Sequence, residues 1–438
     1  MLANLLLMNN PKVIRAWCMY DWANSVYSLV ITSAIFPVYY QAVTTQSNGG
    51  DVVNFFGYEV VNSVLYSYSL SFSFLILAPL LPLLSGMADY LGNKKLFMKS
   101  FVYTGGLACM GLFFFDGSNL EWGIICSILA SVGYAGSLVF YDAFLPEIVS
   151  ADKYDRTSAK GYSMGYYGSV ILLIINLALI QFWEPLGFPG EGTAVRFAFL
   201  LVGVWWIGFA QITFYGLPEK PNQRKTSGKI LLNGYKELRK VWNSLPHYPN
   251  LKKYLLAYFF FNMGVQTVMY MAATFGSKEL KLDDTKLILT VLIIQLVASL
   301  GAMLFAKISG LKGNKFTLML MIGMWIVICY GAYLTSSEKE FFVVAFLVGI
   351  VMGGIQSLSR ATYSKLIPVR TVDHASYFSF FDVTFNLSIV GGTFSYGLVE
   401  QLTGSMRNST IALMTFFIIG MAILSKVTVT NEESRSIA

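Results

Sequence analysis

Carboxylates set inside long apolar stretches are the residues of this chain best placed to do chemistry. Asp21 stands in Tyr20-Asp21-Trp22-Ala23-Asn24-Ser25, Asp142 in Tyr141-Asp142-Ala143-Phe144-Leu145-Pro146-Glu147, and Asp382 in Phe380-Phe381-Asp382-Val383-Thr384-Phe385-Asn386. A charge in lipid is costly, so each such group needs a partner, a proton or a water-filled cavity. Asp382 lies a turn or more inside its expected helix, and Asn386 follows one turn later on the same face. Asp21, Asp142 and Glu147 lie nearer helix ends. There, pairing of Asp142 or Glu147 with Lys153, Arg156 or Arg360 competes with proton transfer. Asn262 and Gln266, also four apart, offer amides on one face, and Gln356 adds another. Amides of this kind form a solute site or simply bridge membrane helices. A different kind of signal is the run from Ser85 to Lys95, where Asp89 sits near helix ends and basic groups, Gly92 permits a tight turn and Lys94 follows.

Other chemistries find little support. The two histidines, His247 and His374, are far apart, and no His-Glu-x-x-His pattern exists, so no metal, cofactor or hydrolytic centre is expected. Cys18, Cys109, Cys126 and Cys329 lack any Cys-x-x-Cys spacing and read as buried free thiols. The glycines Gly161, Gly165 and Gly168, and again Gly391, Gly392 and Gly397, suit close helix packing better than phosphate binding. A net charge of +7 could suggest nucleic acid, but the basic residues fall in short gaps between apolar runs rather than on one solvated face. No filter-like loop or charged ring points to a channel.

The elements that must hold these residues follow from composition. Of 438 residues, 55% are hydrophobic and 13% charged, against roughly 25% charged in soluble domains. The solvent for most of the chain is therefore lipid. Apolar stretches place twelve spans at about 22–44, 62–84, 97–115, 122–145, 163–183, 197–217, 254–275, 287–308, 316–335, 341–363, 376–399 and 409–426. The one long polar interval divides the chain into a six-helix bundle at 1–217, a central loop at 218–253 and a second bundle at 254–438. All lysines and arginines except Arg196, Lys278, Lys281, Lys286, Lys339 and Arg407 fall on one set of alternate loops. Since cytoplasmic loops collect these residues, both termini and the central loop are expected in the cytoplasm. Within that loop Ile230, Leu231, Tyr235, Leu238, Val241, Trp242 and Leu245 recur at helical spacing among Lys229, Lys236, Arg239 and Lys240, which predicts an amphipathic helix on the membrane surface.

The halves also echo one another. Gly92-Asn93-Lys94 recurs as Gly313-Asn314-Lys315, and Tyr141 with Pro146 recurs as Tyr363 with Pro368. Parallel six-helix repeats with a solute site between them are a transporter plan.

Ser85 to Lys95 resembles the major facilitator loop signature G-x-L-A-D-x-x-G-R-K, with Ser85 and Asn93 as departures. The resemblance implies that Asp89, Gly92 and Lys94 form a conformational latch, one-sided here because Gly310 stands where a second acid would be. Tyr20-Asp21-Trp22-Ala23-Asn24-Ser25 through Tyr40 resembles the opening of the vacuole-effluxer-like branch of that superfamily. Tyr141 to Pro146, Gly353 to Arg360 and Gly397 to Ser405 are similar to it as well. The fold so implied is an all-α membrane protein of twelve transmembrane helices in two six-helix bundles. The function implied is alternating-access export of a small molecule such as an amino acid, with possible proton coupling. Asp21, Asn24, Asn262 and Gln266 are expected to form the polar site with Gln356, Asp382 and Asn386, while Arg360 pairs with Asp142 or Glu147 near the inner gate. Asp382 or Asp21 is the expected proton carrier. A different solute (sugar, peptide or drug) or a transport-silent sensor remains open. The expected setting is a bilayer, as a monomer in a bacterial inner membrane with a small-molecule substrate.

Overall fold

Helix α1 (Pro11–Val26) starts where the Asn10 side chain accepts the Lys12 N–H and Pro11 fills the first turn, in which its missing donor costs nothing. The computed structural model describes residues 8–50, 52–218, 230–282, 284–368 and 371–429. After α1 the backbone widens into a π-helical stretch, Tyr27–Ala34, and resumes as α2 (Phe36–Asn48) after a 42° bend. Pro37 has no N–H to return to the preceding turn, which favours a break there. The single span expected at 22–44 is thus a bent pair that begins at residue 11. A hairpin absent from the sequence reading follows, β1 (Val52–Phe55) and β2 (Tyr58–Val61), antiparallel with Val52 opposite Val61. Its turn residues Phe56 and Gly57 both have positive φ, the geometry that suits tight hairpins.

The remaining helices are α3 (Asn62–Leu91), α4 (Lys94–Gly111), α5 (Leu120–Asp142), the single turn α6 (Leu145–Ile148), α7 (Tyr154–Gln181), α8 (Glu191–Gly216), α9 (Ile230–Ser244), α10 (Pro249–Leu280), α11 (Asp284–Lys312), α12 (Asn314–Leu334), α13 (Glu338–Leu366), α14 (His374–Thr403) and α15 (Met406–Leu424). Their ends carry ordinary signals. Asn93 caps α4, Ser337 and Glu340 form a reciprocal capping box on α13, and Gly92 and Gly404 take left-handed conformations after α3 and α14. Lys95 donates to the Phe214 and Leu217 carbonyls at 2.8 and 2.7 Å, a cation on the negative end of α8.

Among the described residues ten helices are long and apolar enough to cross a membrane, or eleven when the bent pair counts as one span. The sequence reading expects twelve. The difference is α14, whose 30 residues suffice in length but carry Ser376, Ser379, Asp382, Thr384, Asn386 and Ser388. The expected amphipathic segment is α9, which packs on α3 and buries Val241 while Trp242 meets Phe380. Lys229 lies outside the described residues. Helix α10 starts at Pro249, inside the interval assigned from sequence to the central loop.

Within the first half α1 packs on α7 and α8, and α4 on α5; within the second, α11 packs on α13, and α10 on α14 and α15. Between halves α7 meets α11 and α13, and α3 and α5 meet α14. Close approach depends on glycine at Gly161, where a Cβ would strike Asp21, and at Gly353, where it would strike the Ala298 carbonyl.

Candidate functional site

On α1 the residues Trp17, Tyr20, Asp21 and Asn24 recur at three and four, so one helical face carries a carboxylate between aromatic rings. That face meets the end of α5, where Tyr141 donates to Asp21 Oδ2 at 2.8 Å and Trp17 Nε1 donates to the Tyr141 carbonyl at 3.0 Å. Arg360 reaches this pair from α13 in the other half. Its Nη2 contacts Asp21 Oδ2 at 3.2 Å and its Nη1 contacts Asp142 Oδ1 at 3.0 Å. Its Nε donates to Ser158 Oγ at 2.9 Å, and Nη2 also reaches the Ser158 carbonyl. The guanidinium lies 4.7 Å from the Trp17 ring and 4.4 Å from Tyr162. Arg360 is 2% exposed, so these contacts stand in for its hydration shell. Glu147, the other expected partner, pairs with Lys94 instead.

Two further bonds tie the halves beside this cluster: Ser158 Oγ donates to the Ser357 carbonyl at 2.7 Å, and Tyr166 donates to Gln356 Oε1 at 2.8 Å. Above them lies a cavity of about 210 Å³. It is lined by Asp21, Asn24, Asp142, Gln266, Gln356, Arg360, Asp382 and Asn386 of the residues singled out from sequence. Six tyrosines also face it, Tyr27, Tyr134, Tyr162, Tyr166, Tyr258 and Tyr270. Asp382 accepts from Asn386 Nδ2 at 3.0 Å. Asn262 is not among the lining residues. Its Nδ2 donates to Ser388 Oγ at 2.6 Å and its Oδ1 accepts from Gln266, so it braces α10 against α14 behind the wall.

The Asp89 segment makes a second inter-half contact. Its carboxylate accepts the backbone N–H groups of Ala375 and Ser376 at 3.2 and 2.7 Å, capping the positive end of α14. Lys94 lies 3.9 Å from Asp89 while bonding Glu147, and Gly92 ends α3 with a φ of 65°. The sequence reading makes this contact one-sided. In the structure Asp155, at the start of α7, accepts from Ser309 Oγ, Asn314 Nδ2 and Lys365 Nζ at 2.8–2.9 Å, a counterpart with the acid on the opposite partner. Asp155, Ser158, Asn314 and Lys365 are residues that sequence reasoning missed. The repeated Gly313-Asn314-Lys315 was the available signal.

Comparisons with known proteins agree with this arrangement. The family described as vacuole effluxer Atg22 like matches residues 9–436. The MFS-type transporter YxiO of Bacillus subtilis is 31% identical, with 94% of each chain covered. Autophagy-related protein 22-2 of Aspergillus oryzae is 25% identical over 85% of this chain and 75% of its own. In fold, the chain is similar to the proton:xylose symporter XylE, with a TM-score of 0.71 at 12% identity and coverage of 97% of this chain and 98% of that one. The major facilitator transporter FucP in its outward conformation gives 0.69 at 12% identity, covering 96% and 99%. Spanning helices, a polar chamber between halves and a family match over nearly its whole length make this chain a multi-pass membrane protein of the vacuole effluxer Atg22-like family, within the major facilitator transporters.

Proposed function

We propose that the protein is an alternating-access secondary transporter that exports a small solute such as an amino acid, coupled to protons. The observation that carries this reading is the chamber between halves, sealed at one end by the Arg360 cluster and by the Asp89 and Asp155 contacts. Segments 1–217 and 254–438 rock against each other in this reading, with 218–253 as the tether. The sealed end carries most of the lysine and arginine and is the cytoplasmic one, so the described state faces outward. Opening inward then requires Arg360 to release Asp21 and Asp142. Asp382 is the favoured proton carrier over Asp21, because Asp21 already holds a cation whereas among the described residues Asp382 pairs with an amide. The setting is a bacterial inner membrane, and the working unit is one chain.

Counterflow in proteoliposomes loaded with mixed amino acids, with each labelled amino acid outside in turn, tests this directly. Exchange of one class, altered by an imposed pH gradient, is the expected result. Folded protein that exchanges no amino acid would overturn that choice of solute, and exchange indifferent to pH in wild type would overturn the coupling.

A further inference from the structure

Among the described residues four charged side chains line the chamber, the carboxylates of Asp21, Asp142 and Asp382 and the guanidinium of Arg360. The single cation is fully committed. Each of its nitrogens contacts a carboxylate or Ser158, and its central carbon lies over the rings of Trp17 and Tyr162. A solute carboxylate would therefore have to displace Asp21 or Asp142 from a buried pair, which costs several kcal/mol. Asp382 is in the reverse position. It is 9% exposed, and among the described residues its hydrogen-bond partner is Asn386.

Its amide partner brings an acceptor too. Because Asn386 gives its Nδ2 to a carboxylate that only accepts, its Oδ1 must point elsewhere, and that buried oxygen takes no hydrogen bond from the protein. Gln295, on the chamber wall contributed by α11, likewise leaves a buried Oε1 unpartnered. Unpaired buried acceptors are expensive unless a ligand supplies donors. An ammonium carries three donors and no acceptor, and it is attracted by aromatic rings such as those of Tyr258, Tyr270 and Phe385, which also line the chamber.

We infer that the chamber recognises its solute through a positively charged amino group seated at Asp382 and Asn386, with an apolar body against the aromatic wall and no requirement for a carboxylate. The inference rests on the transporter reading and names the chemical class of its cargo: organic ammonium ions, whether amines or the amine end of an amino acid.

The test uses full-length protein in lipid nanodiscs and matched pairs of probes that differ in charge. Tyramine is compared with N-acetyltyramine, leucinamide with N-acetylleucinamide, and isoamylamine with 4-methylpentanoate, binding being read from thermal stabilisation. Each amine is expected to bind at least about tenfold tighter than its partner, the scale for losing a desolvated charge pair. Asp382→Asn is expected to erase that preference, and Asn386→Ala to weaken amine binding with the charge still present. Equal binding within pairs, no binding by any amine, or an undiminished preference in Asp382→Asn overturns the inference. Should Asp382→Asn fail to fold, the wild-type pairs decide alone. Counterflow of a solute without an amino group would sink the inference and leave the transporter reading standing. Amine binding without any counterflow would do the reverse.

Discussion

Arg360 neutralises two carboxylates that approach it from different helices, so its loss is felt as two stranded charges rather than one missing contact. Arg360→Met is expected to cost about 3–5 kcal/mol, the range for breaking a buried pair, and to lower the melting temperature in detergent by many degrees. A melting temperature unchanged from wild type would show that the cluster is solvated. Asp142→Asn keeps the shape and removes one charge, so transport should fall while folded yield is retained; full transport would remove Asp142 from the mechanism. Gly161→Ala places a methyl group against Asp21 and should reduce transport by disturbing that pair, while Gly397→Ala, with open space around it, should not. The identities of Asp21, Asp142 and Arg360 were legible in the sequence, because ionisable groups stand out in apolar runs. Their meeting was only half legible. Nothing local distinguishes Ser158 or Trp17 from ordinary helix residues, and they act only once α1, α5, α7 and α13 converge.

Helix α14 starts with two buried first-turn amides held by a carboxylate from α3. Asp89→Asn removes the charge from this cap and is expected to weaken it by about 1 kcal/mol, which corresponds to about fivefold faster hydrogen exchange at Ala375 and Ser376. Unchanged exchange there would mean that the halves stay closed without the cap. Asp155→Asn should loosen α11 and α13 from α7 in the same way, and the two substitutions together should shift the protein further than either alone. Helix order was readable from hydropathy, since the apolar runs are long and the breaks polar, whereas the twelve spans expected stand against ten or eleven among the described residues. Boundaries were less so: α1 begins eleven residues before the expected span because Lys12, Arg15 and Asp21 interrupt the apolar run by which a span is read. The polar face of α14 did not hide it, since the span expected at 376–399 lies within His374–Thr403, and a wall facing a chamber need not be apolar. The acid at Asp155 was missed because a carboxylate in a first helical turn is commonplace.

Viewed as one body, the molecule is closed where its basic loops lie, and the chamber reaches Thr32 and Ser33 toward the other end. Thr32→Cys should therefore react with a membrane-impermeant maleimide applied from outside intact cells, over a low background, since the four native thiols are buried. Reaction from the cytoplasmic face alone would invert the proposed orientation. The π-helical stretch bears on how such a body moves. There the Ile35 N–H returns to Val30, five residues back, and the axis bends by 42° between the segment that carries Asp21 and the segment that approaches the far side. A widened turn of this kind acts as a knuckle. The outer half of the first span is able to swing shut over a captured solute while the inner half stays clamped to Arg360, so that the two doors need never be unlocked by the same stroke.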